Sequence, residues 1–135
     1  MNLKSGFLAG VAVFAVSMLA NQLIGVLYPP YMLEMQNTQV FRPYSDPLMM
    51  LFFVYPFIYG IVLSYLWSMV HPKLKGTTIW EKSAGFANLY FIVGTIPGMF
   101  ITLTSMQVTF AAVVIWSAVG YLEAFTAGAV YQKVK

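Results

Sequence analysis

The sequence predicts an all-α fold: a four-helix transmembrane bundle built from one domain, residues 1–135. Three observations predict it. The chain is 60% hydrophobic and 8% charged, whereas a soluble domain carries about 25% charged residues. So few charges cannot cover a surface that faces water. Four apolar runs, about 5–27, 47–70, 83–105 and 107–131, each reach the roughly 20 residues that a helix needs to cross hydrocarbon. None of the four contains a lysine or arginine. In lipid the backbone finds no outside partner, so each run must satisfy its own N–H and C=O groups as a helix.

The first run begins after Lys4, which gives it the look of a secretory signal. It extends to Leu27, and Met18 stands where a signal-cleavage site would place a small residue; it reads as a retained first span. Gly6 and Gly10 form a GxxxG pair, and Ser17 and Asn21 extend nearly the same stripe. Such small residues let helices approach closely where no hydrophobic force drives them together. The long connection after it carries Tyr28, Tyr31, Phe41 and Tyr44, aromatics suited to the headgroup layer. It ends in Arg42-Pro43-Tyr44-Ser45-Asp46-Pro47. Asp46 can cap the second span, proline at the first helical position loses no hydrogen bond, and Arg42 can fold back onto Asp46. A lipid headgroup or partner contact at Arg42 and Asp46 is the alternative to this local pairing.

Pro56 in the second span and Pro97 in the third should each kink their helix and free a carbonyl one turn earlier. The second and third spans are joined by a short basic loop, 71–82. There His71 closes a helix C-terminus, or senses pH. Gly94 and Gly98 form a second glycine pair, and Gly120, Ala124 and Gly128 form a small-residue seam on the last span. The connection near 104–107 is so short that spans three and four must be antiparallel neighbours.

Orientation follows from the basic residues. Lys4, Lys73, Lys75, Lys82, Lys133 and Lys135 fall on one side, and Arg42 alone falls on the other. The positive-inside rule places both termini and the 71–82 loop in the cytoplasm.

Chemistry has few candidates. Glu123 is the one acid deep within a span. It lies about 15 Å from Lys133 along the helix, so it must face protein or trapped water. Asn88, Thr95 and Thr102 recur every seven residues on the third span, and Asn88 is the partner expected for Glu123. Ser64, Thr95 and Thr126 complete the candidate intramembrane polar site. Its functional reading is a proton or ligand site, and its structural reading is a hydrogen bond that fixes packing. Methionines gathered toward the outward side, Met32 and Met35 among them, have copper-like spacing, but read as flexible apolar filler. No cysteine is present, which excludes thiol catalysis, disulfides and thiolate metal sites. No catalytic triad, metal-binding histidine cluster, phosphate loop or nucleic-acid motif occurs. No cofactor or metal is expected, and no enzyme activity.

The stretch from Arg42 to Met49, of the form R-P-x-x-D-P-L-M, and the aromatic-rich run behind it resemble a family of small bacterial membrane proteins. These have four spans and no assigned activity. The resemblance covers about a third of the chain. It implies the four-span fold, an important outer loop and a place in the bacterial inner membrane, and it carries no active-site residues. The expectation for function is a non-catalytic accessory or interaction subunit, homo-oligomeric or part of a larger membrane complex. A minimal transporter or channel using Glu123 and Asn88 is the alternative.

The absence of native cysteine makes the topology directly testable. With single cysteines at Asn37 and Thr77, an impermeant thiol reagent outside intact cells should label position 37 and spare position 77. Labelling of 77 alone would invert the orientation.

Overall fold

The computed structural model describes residues 2–134. Its described residues form helices and turns with no strand. Four helical stretches are long and apolar enough to cross a membrane: Leu3–Leu27, Pro47–Lys73, Ile79–Ser105 and Phe110–Lys133. The chain is thus a multi-pass membrane protein.

Helix α1, Leu3–Leu27, starts where the Asn2 side chain accepts from the N–H groups of Lys4 and Ser5. A short helix α2, Pro29–Met35, follows at once, with prolines in its first turn, where their missing N–H groups cost nothing. The second span is not one α-helix. Its first part, Pro47–Val54, is a 3-10 stretch without a buried residue. Helix α3, Tyr55–Val70, begins with Pro56 in its first turn. The proline therefore marks a junction between two helix types rather than a kink inside one.

A turn through Gly76, at φ +107°, leads to a capping box in which Thr78 and Glu81 satisfy each other's backbone N–H groups. That opens α4, Ile79–Tyr90. A π-helical turn, Phe91–Thr95, precedes α5, Ile96–Ser105, which has Pro97 in its first turn. The last helix, α6, is Phe110–Lys133, and the Thr109 side chain caps it.

Helix α1 packs on α3 and on α6, and α6 packs on α4. The closest approach is at Gly60. A Cβ on Gly6 would stand 2.9 Å from the Ile61 Cα, and one on Gly10 would stand 2.8 Å from the Phe57 Cα. A Cβ on Gly60 would run into the backbone of Gly6 and Gly10. The Tyr131 hydroxyl donates to the Gly60 carbonyl, so α6 is tied to the same point. Helices α1 and α3 meet there because neither has a side chain in the way, and α6 reaches the same point through Tyr131.

The packed core lies toward the end where α1 starts and α6 finishes. Trp67 stands edge-on to Phe86 at 5.2 Å and lies 5.8 Å from Tyr131. Leu63, Ala87, Ala124 and Ala127 fill the space among them. The opposite end is open: Leu51, Phe52, Phe100, Ile101 and Phe110 are all exposed.

The small-residue motifs divide accordingly. Ala124 is fully buried, and a Cβ on Gly128 would lie 3.2 Å from the Ser83 Cα of α4. Gly120 has nothing within 4 Å of a notional Cβ, so the seam is not continuous. Each four-residue step turns about 40° around a helix, and Gly120 has left the face that meets α4. The Gly94 and Gly98 pair also fails to join two helices of this chain. Gly94 faces its own Tyr90 ring, and Gly98 faces open space.

This contrast predicts opposite outcomes for one methyl group. Gly60→Ala should lower stability by about 1–3 kcal/mol, the usual range for overpacking. Gly120→Ala should leave it unchanged or raise it by up to about 1 kcal/mol through helix propensity. Reversible unfolding in mixed micelles measures both, and a Gly60→Ala protein as stable as the wild type would remove the close crossing.

Candidate functional site

A carboxylate within apolar surroundings must be satisfied or neutralised, and here the satisfying group comes from α1. Ser17 Oγ donates to Glu123 Oε1 at 2.5 Å. Glu123 is 9% exposed and Ser17 8%. Above Ser17 the polar contacts continue toward the loop end. Asn21 Nδ2 donates to the Ser17 carbonyl at 2.9 Å. Tyr31 Oη approaches Asn21 Oδ1 at 3.4 Å, and Trp116 Nε1 donates to Tyr31 Oη at 2.9 Å. Burial pushes the Tyr31 phenol above its ordinary range. The short helix α2 is thereby docked on α1 and α6 through a chain of side chains that ends at Glu123.

Beside this chain lies a cavity of about 50 Å³. Ser17, Asn21, Tyr55 and Glu123 give it polar groups, and Phe14, Met18, Phe52, Phe53 and Pro56 give it apolar walls. Behind it Tyr59 lies 5.5 Å from Tyr55 between ring centroids, and Tyr90 stands edge-on to Tyr59 at 5.6 Å. Among the described residues the buried Tyr59 hydroxyl has no hydrogen-bond partner.

The expected partner, Asn88, is not at this site. Its Oδ1 accepts from Tyr121 Oη at 2.9 Å, and the residue is exposed. Tyr121 and Glu123 are two residues apart, so they point to nearly opposite sides of α6. Ser64 is also elsewhere. It is buried beside Gly6 and donates to the Ile61 carbonyl, and Gly6 lies about 16 Å from Ser17 along α1. Thr126 Oγ1 donates to the Leu122 carbonyl of its own helix. Thr95 is buried in the π turn, and Thr102 donates to the Gly98 carbonyl. The polar stripe on the third span therefore does not converge on Glu123, and the cluster extends toward the loop end rather than the terminal end.

Asn21, Tyr31, Trp116 and Tyr55 are the site residues that the sequence analysis did not assemble. The signal for them in the sequence is Ser17 with Asn21, four residues apart on one face of the first span. Glu34 was missed as well. Its two oxygens accept from the Thr109 N–H and hydroxyl, both at 2.7 Å. It thus fastens α2 to the start of α6, where a carboxylate also suits the helix dipole.

At the loop, Arg42 Nη1 lies 2.9 Å from Asp46 Oδ2, and Asp46 Oδ1 accepts from the Leu48 N–H at 2.9 Å. The Leu48 N–H, and after it Arg42, hold the Asp46 carboxyl below its ordinary range.

A second feature is larger. A groove of about 800 Å³ lies between α5 and α6. Phe91, Met99, Phe100 and Leu103 form one wall, and Val114, Ala118 and Tyr121 the other. Asn88 also lines it, so the groove is apolar with one amide–phenol pair. No family model, curated protein or solved structure matches this chain.

Proposed function

We propose that this chain is a non-catalytic accessory subunit of the bacterial inner membrane, with both termini in the cytoplasm, and that it binds an apolar helix of a membrane partner in the groove between α5 and α6. The groove carries this reading. It is a lateral, apolar recess within two membrane spans, and Ser117 and Ala118 on its α6 wall are small residues. Small residues of this kind are the usual contact points between helices in lipid. Asn88 and Tyr121 add an exposed polar pair at bilayer depth, where a partner side chain could share the hydrogen bond. A second copy of the chain would satisfy the same surface, giving a homo-oligomer.

A minimal transporter or channel is the second reading, favoured by the cavity beside Glu123. On that reading Asn88 is not part of the path.

Photo-crosslinking in native membranes tests the subunit reading. A photoreactive residue at Val114 or Ala118 should yield one discrete protein adduct, and Ala118→Trp, which fills the groove, should abolish an adduct formed from Val114. Adducts to lipid alone would contradict it.

A further inference from the structure

We propose that the cavity bounded by α1, α3 and α6 binds a monovalent alkali cation, which takes the place of the proton on Glu123. The proposal does not depend on the subunit reading. The polar residues that line the cavity, Glu123, Ser17, Asn21 and Tyr55, all carry oxygen donors. Oxygen donors select hard cations.

The charge balance selects a single positive charge. The four apolar runs hold no lysine, arginine or histidine, so ionised Glu123 has no protein counter-charge there. One alkali ion neutralises it. A divalent ion would leave a net positive charge in apolar surroundings, which is strongly unfavourable.

The size agrees. At about 50 Å³ the cavity holds one or two water-sized particles, since a water occupies about 30 Å³ in the liquid. It therefore suits a small ion stripped of most of its shell. Glu123 Oε1 is held by Ser17, and among the described residues Ser17 is the hydrogen-bond partner that Glu123 has. Asn21 is oriented by its own bond to the Ser17 carbonyl.

The groups facing Glu123 from the packed helices are Ser17 and Asn21 on α1 and the phenol of Tyr55 on α3, with Tyr59 and then Tyr90 of α4 behind. The phenols are the only titratable groups among them. Exchange is simple in atoms and charge: the cation binds the carboxylate, and the carboxyl proton leaves to water.

Dicyclohexylcarbodiimide, an apolar reagent for protonated carboxyl groups within membranes, tests this on the whole protein. The readout is the mass of the peptide that contains residue 123. In choline chloride the wild type should be modified there, and Glu123→Gln should not. Sodium chloride, or lithium chloride, at the same concentration should slow modification about tenfold once the salt is near ten times its dissociation constant. Asn21→Leu should need more salt for the same protection. Sodium should also raise the thermal midpoint of the wild type above that in choline, and leave Glu123→Gln unmoved. Modification that responds to pH but is indifferent to lithium, sodium and potassium would overturn the proposal and leave the cavity to protons and water. Failure of the reagent to modify Glu123 in any salt, with no thermal shift, would overturn it as well.

Discussion

One carboxyl group in an apolar interior constrains this fold more than any other side chain. Glu123 cannot be left to lipid, and the Ser17 hydroxyl on α1 is what meets it. That contact brings α1 against α6 at mid-span. Below it Gly6, Gly10 and Gly60 let α1 and α3 close on each other, and Tyr131 ties α6 to the same place. Above it Asn21, Tyr31 and Trp116 bring the short helix α2 over the top. Helix α1 is therefore the central member of the bundle, although beyond Lys4 it carries no charged residue.

The two ends of the molecule differ in how they are held. Around Trp67, Phe86 and Tyr131 the helices are packed by aromatic and small side chains. Toward the loop end, specific polar contacts replace general packing. Glu34 holds the start of α6, and Asp46 caps the 3-10 stretch. The π turn before Pro97 and the 3-10 stretch before Pro56 are both deviations from α-helix in the spans that line this open half. They make room for the groove on one side and help to wall the cavity on the other.

The four spans were legible in the sequence because length and apolar character decide them, and lipid leaves the backbone no alternative. The Asp46-Pro47 start was legible because capping is local. Partner choice across helices was not. Glu123 and Asn88 have compatible depths in the membrane, but depth says nothing of rotation about the helix axis. Asn88 meets the face of α6 that carries Tyr121. Gly60 was passed over because it has no glycine at a four-residue spacing. It matters through the GxxxG pair on α1, which needs one gap opposite rather than two. Gly94 and Gly98 had the motif without the neighbour, since the π turn that contains Gly94 could not be read from composition.

The contact between Ser17 and Glu123 is best tested by a double-mutant cycle. Ser17→Ala, Glu123→Met and the double variant would be compared with the wild type by reversible unfolding in mixed micelles. A coupling of about 1 kcal/mol, within the range found for hydrogen bonds inside membranes, is the predicted result. Effects that add to within about 0.3 kcal/mol would mean that the two side chains do not meet, and that α1 is not held at mid-span by the buried acid.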